Sequence, residues 1–80
     1  MARYFFHLRN HTDEMLDPEG MELPLADDVK TEALRAARDL LSHEIKSGMV
    51  DLRYRIDVEE THGGVIHSLS LKDAFELIES

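Results

Sequence analysis

The sequence predicts an α+β fold: a two-layer sandwich of element order ββαββα, with an antiparallel sheet, one long helix on one face and a short C-terminal helix. Three observations carry that prediction. LADDVKTEALRAARDLLSHEIKSG places apolar residues at helical spacing along one continuous stretch. Period-two alternation precedes it in ARYFFHLRN and follows it around Tyr54, Ile56 and Val58. Turn residues divide the alternating runs into pairs on either side of the helix. Eighty residues make one domain, 1–80, with a thin core. No cysteine is present, so neither a disulfide nor a thiolate-held metal braces it.

Each element has its own signal. In the first strand Tyr4, Phe6 and Leu8 share one face, and Arg3, Phe5, His7 and Arg9 the other. Asn10 to Thr12 begin a turn. Met15-Leu16 starts the return strand, Asp17-Pro18-Glu19-Gly20 forms a turn or bulge within it, and Met21 and Leu23 continue it until Pro24. Ala26 or Asp27 occupies the helix cap; an Asp27 carboxylate there would accept from first-turn N–H groups. The helix is expected over about 28–47. Val29, Ala33, Ala36, Ala37, Leu40 and Leu41 form its apolar stripe, widened by Leu34 and Ile45, and Gly48 closes it in the left-handed conformation. Its alanine-rich middle allows close approach to a sheet.

Tyr54, Ile56 and Val58 then alternate with Arg53, Arg55, Asp57 and Glu59 in a further strand. His62-Gly63-Gly64 signals a hairpin with a two-residue loop, either His62-Gly63 or Gly63-Gly64. Both choices put Val65, His67, Leu69 and Leu71 on the face of Ile56 and Val58, and Ile66, Ser68 and Ser70 on the face of Arg55, Asp57 and Glu59. Ser70 and Asp73 form a capping-box variant before Leu71, Ala74, Phe75 and Ile78, the pattern of a short C-terminal helix. The expected core is Tyr4, Phe6, Leu8, Leu23, Val29, Ala33, Ala37, Leu40, Ile56, Val58, Leu69 and Phe75.

Charge narrows the partners. The net charge is −8, and seven acidic residues (Asp13, Glu14, Asp17, Glu19, Glu22, Asp27 and Asp28) fall between Arg9 and Lys30, an interval without Lys or Arg. Such an edge repels phosphate, so duplex DNA is not expected as a partner. No apolar run has the length of a bilayer span, and Met1-Ala2-Arg3 leads directly into YFFHL, so neither a membrane partner nor a targeting segment is expected and the chain reads as cytoplasmic.

Catalytic and metal-binding patterns fare poorly. His7, His11, His43, His62 and His67 show no HxH, HxxxH or HExxH spacing on a helix, and His7 and His67 belong to opposite sheet faces. Asp13, Glu14, Asp17 and Glu19 miss the calcium-loop template and fall in a loop expected to be exposed. No serine sits in a nucleophile elbow, and Gly63-Gly64 lacks the Lys-Ser/Thr of a phosphate loop. No cofactor, metal or catalytic residue is therefore expected.

RYFFHLRN, DPEGMELP, EALRAARDLL and IDVEETHGGVI together resemble a family of small, uncharacterised bacterial proteins known as a domain of unknown function. The resemblance spans almost the whole chain and implies a soluble single domain without assigned activity or functional residues. Glu22-Leu23-Pro24-Leu25 ahead of an alanine-rich helix is more loosely similar to antitoxin domains with a partial ribonuclease-H-like fold; a DNA-binding extension is not evident here.

The remaining candidate is the outer sheet face. Arg3, Phe5, His7 and Arg9 from the first strand, Arg55 from the third and Ile66 from the fourth would meet there. Phe5 and Ile66 would otherwise sit in water, and arginines rim apolar contacts well. The expected function is a non-catalytic protein-interaction module that pairs with itself as a homodimer or with another protein through this face. The alternative is an RNA-binding or antitoxin-like regulator. Single-stranded RNA is disfavoured, since Phe5 is the only stacking ring on the face and the RNP1 pattern is missing. A C-terminal helix folded over this face would remove the site.

Overall fold

The computed structural model describes residues 2–79. The elements run β1 (Ala2–Arg9), β2 (Glu14–Met15), β3 (Met21–Leu23), α1 (Asp28–Ser47), β4 (Arg55–Glu60), β5 (Val65–Ser70) and a single 3-10 turn at Leu71–Asp73. The predicted α+β sandwich is the observed one: a five-stranded antiparallel sheet with one long helix on one face.

The return strand is split in two, and both pieces pair with β1. Leu8 lies opposite Met15, while Tyr4 lies opposite Met21 and Ala2 opposite Leu23. Asp17–Gly20 bulges between them, as DPEG suggested. On its other side β1 pairs with β4, with Phe6 opposite Val58 and Leu8 opposite Ile56. β5 closes the order β2/β3-β1-β4-β5. The chain thus leaves one edge of the sheet at β3, crosses β1 through α1 and re-enters at β4.

The core lies between α1 and the sheet. Val29, Ala33, Ala37 and Leu41 are buried along α1 against Tyr4, Leu23, Ile56 and Val58. Leu71 and Ala74 close the end of this layer. Phe6, Leu8, Leu40 and Leu69 are half-buried at its margin. Gly48 has φ 93° and ends the helix, its N–H donating to the Ile45 carbonyl at 3.1 Å while Met49 N–H reaches the Glu44 carbonyl at 3.3 Å.

Four expectations change in detail. Asp27 precedes α1 but its carboxylate caps nothing. A turn does the work, with Asp28 N–H donating to the Leu25 carbonyl and Val29 N–H to that of Ala26, both at 3.1 Å. The second hairpin uses a longer loop, Thr61–Gly64, and a bulge: Val58 faces His67 but Glu59 faces Val65, so Ile66 is the inserted residue. Neither Gly63 nor Gly64 has positive φ, so the two-residue turn they suggested does not form. Arg53 precedes β4, held by Asp51 through bonds of 2.8 and 2.9 Å.

The short C-terminal helix is reduced to the 3-10 turn. Arg38 Nε donates to the Ala74 carbonyl at 2.8 Å, which ties the segment to α1 at the point where the turn ends. Phe75 is therefore exposed rather than core, and so is Ile45 on α1.

Candidate functional site

The outer face is built by alternation. With Tyr4, Phe6 and Leu8 turned to the helix, Phe5, His7 and Arg9 project from the other side of β1. Register sets their neighbours: Phe5 opposite Glu59, His7 opposite Asp57 and Arg9 opposite Arg55. Neither α1 nor the 3-10 turn packs here; α1 contacts β4, β5 and that turn on the opposite layer. Among the described residues, the C-terminal segment lies against α1, through Ala74, Phe75 and Leu77, and does not cover the face.

Asp57 is the centre of this surface, only 4% exposed although no layer covers it. Its carboxylate accepts from Arg9 at 3.2 Å, Arg55 at 3.1 Å and the Ser68 hydroxyl. Burial pushes the Asp57 carboxyl up, but the bonds from Ser68, Arg9 and Arg55 outweigh it and hold the group below the usual carboxylate range. Arg9 also pairs with Glu14 and Glu59, each at 2.8 Å. One guanidinium therefore ties β1 to β2 and β4.

His7 is 8% exposed and stacks on Phe5, the ring centroids 6.1 Å apart and the planes within 8°. Its Nδ1 accepts the Asp17 N–H at 3.0 Å, which leaves the ring proton of the neutral form on Nε2, facing Glu59 at 3.9 Å. Asp17 organises the bulge in return. Its carboxylate accepts from Phe6 N–H at 3.2 Å, Gly20 N–H at 3.1 Å and Glu19 N–H at 3.3 Å. Burial raises the Asp17 carboxyl, yet the donors from Gly20, Phe6 and Glu19 win and it is held low. Gly20 sits against Phe5 with φ 71°; a Cβ there would lie 2.8 Å from the Tyr4 carbonyl and 2.9 Å from two Phe5 ring carbons.

Of the six candidate residues, Phe5, His7, Arg9 and Arg55 are brought together. Phe5 is half-buried beside the Asp17–Gly20 bulge rather than open to water. Arg3 lies at the β3 end of the same strand, bound to Glu22 at 2.9 Å and to the Glu19 carbonyl. Ile66 is 49% exposed at the far edge. Every arginine of the set is matched by a carboxylate, so the face is electrically closed rather than cationic.

Sequence reasoning missed two features. Asp17 read as one loop acid among several, and only its position between two pieces of one strand makes it a hub. The second is an apolar groove on the helix layer, where Leu41, Ile45, Val50, Leu52, Phe75 and Leu77 line the space between the end of α1 and the C-terminal segment. The signal for it was the alternation of Phe75 and Leu77, masked by a competing helical spacing. Among the described residues, no three His, Asp or Glu side chains converge as a metal site would require, and no helix is long and apolar enough to cross a membrane.

Comparison with known proteins gives a family without a function. The family model described as a domain of unknown function, DUF6894, matches residues 3–72, and the chain belongs to that family. No curated protein matches. No solved structure matches. All six candidate residues fall inside the matched region, whereas Phe75 and Leu77 of the groove fall outside it.

Proposed function

We propose that the chain is a non-catalytic protein-interaction module that acts as a homo-oligomer through the outer side of its sheet. The observation that carries this reading is the lack of a covering layer: helix and C-terminal segment both lie on the other side, while Ile66 and the half-buried Phe5 remain at the surface. Fully burying an exposed side chain of that size contributes roughly 1.5–3 kcal/mol, and about half of that is still to be gained at each of these part-exposed side chains, a sizeable share of a small domain's stability. The ion pairs around Asp57 suit the polar part of such a contact, because they are complete before a partner arrives.

The same pairing argues against single-stranded RNA. A phosphate would have to displace Glu14, Asp57 or Glu59 from Arg9, or Glu22 from Arg3. Sedimentation of wild type and Ile66→Glu tests the proposal. The wild type is expected to be oligomeric, and the variant a folded monomer by circular dichroism. A wild type that stays monomeric at high micromolar concentration, or that shifts an oligonucleotide pool in a salt-sensitive manner, would overturn it. A cytoplasmic setting accords with the absence of cysteine.

A further inference from the structure

We propose that the oligomer is a dimer made by antiparallel pairing of β5 with β5 of a second copy, so that the two sheets run on into one. This rests on the self-association proposed above but moves the seam from the outer face to the sheet edge beside it, where Ile66 is covered and Phe5, two strands in, is not. The two edges of the sheet are unlike. The β2/β3 edge consists of pieces two and three residues long, carries Glu14 and Glu22, is interrupted by the Asp17–Gly20 bulge and is ended by Pro24. Shortness, charge, a bulge and proline are the features that keep an edge from pairing.

The β5 edge has almost none of these. Val65–Ser70 is six residues long and contains no Asp, Glu, Lys, Arg or Pro, in a chain that is 32% charged. Its bulge lies at the hairpin end and leaves His67 to Ser70 in register with β4. Among the described residues β5 pairs with β4 alone. No β5 residue is buried, whereas Ile56, Asp57 and Val58 of the neighbouring strand all are.

Charge and symmetry point to a second copy as the occupant. Two chains of net charge −8 repel, and they approach at least cost where neither presents a charge. A two-fold axis perpendicular to the sheet keeps both helices on one side and sets residues of equal parity opposite each other. With the axis at Ser68, His67 meets Leu69 and Ile66 meets Ser70. With the axis at His67, Ile66 meets Ser68, and the bulge keeps Val65 outside the paired stretch. Either register opposes only uncharged side chains and covers Ile66, exposed at 49%, once in each copy.

His67→Lys tests the edge without touching the outer face. His67 lies opposite Val58, on the helix side of β5. A lysine there guards an edge but does not reach a contact made by stacking outer faces. The expected result is a folded chain whose dimer dissociation constant rises roughly tenfold or more. A dimer unchanged by His67→Lys but broken by Ile66→Glu would overturn edge pairing and leave self-association through the face intact. A monomeric wild type would overturn both. An isotope-filtered NOE spectrum of mixed labelled and unlabelled wild-type chains supplies a readout that needs no variant. Interchain contacts are expected among residues 66–70, and interchain contacts centred on Phe5 and Arg55 instead would refute the pairing.

Discussion

Removing the Asp17 carboxylate should release the bulge that fastens β3 to β1, and the structure sets the size of the effect. Three backbone donors depend on that group: Phe6 N–H, Gly20 N–H and Glu19 N–H. The bonds from Phe6 and Gly20 are partly buried, while Glu19 is exposed and water can replace its acceptor. A hydrogen bond to a charged group contributes about 1.5–3 kcal/mol when fully withdrawn from water. Discounting two half-buried bonds by about half gives about 1.5–3 kcal/mol for Asp17→Ala, against the ~4–12 kcal/mol expected of a domain this size. With a urea slope near 1 kcal/mol per molar, the unfolding midpoint should fall by about 2 M. Asp17→Asn keeps one carbonyl oxygen and should fall between. The carboxyl is held below its ordinary 3.8, so its contribution is complete above that value and lost as pH falls through the lower folded-state value. The gap between wild type and Asp17→Asn should therefore close below about pH 4. A midpoint within ~0.3 M of wild type for Asp17→Ala at pH 7 would refute the role of this carboxylate.

Three other outcomes are expected. Leu41→Ala should cost about 2–5 kcal/mol by urea denaturation, and Leu40→Ala about half as much, because Leu41 is buried and Leu40 only half so. Gly20→Ala should destabilise by about 3 kcal/mol and Gly48→Ala by about 1, since both have positive φ but only Gly20 would set a Cβ against backbone and ring atoms, whereas Gly48 opens onto space. Asp57→Asn should lose about 2 kcal/mol at neutral pH by removing the shared acceptor of Arg9 and Arg55; because the wild-type carboxyl is held low, that difference should shrink as pH drops below about 4, measured by thermal unfolding across a pH series.

Alternation and helical spacing made most of the architecture legible, because both are local. Tyr4, Phe6 and Leu8 against Phe5, His7 and Arg9 followed from parity, and Val29, Ala33 and Ala37 from a stripe within one helix. The site was legible only as a set of residues on one face. Which acid meets which arginine depends on β1 lying beside β4 rather than β5, and residues 9 and 57 are brought together by that strand order. No local pattern encodes it. The end of the chain misled for a related reason. Leu71, Ala74, Phe75 and Ile78 have helical spacing, but Arg38, a residue of α1, binds the Ala74 carbonyl and the segment lies along the helix instead.

The acidic segment between Arg9 and Lys30 takes on a different meaning once its partners are known. Asp17 accepts from backbone N–H groups in the bulge, Glu14 pairs with Arg9, and Glu22 pairs with Arg3. These three carboxylates fasten the split return strand to β1, and at the same time they charge the edge that strand presents. The basic residues of β1 are thereby neutralised from within. Glu14 and Glu22 stand on the β2/β3 edge itself, whereas Val65–Ser70 holds no charged residue. One arrangement thus closes the cationic face to phosphate, guards one edge of the sheet, and leaves the other as the uncharged line along which a second acidic copy can approach.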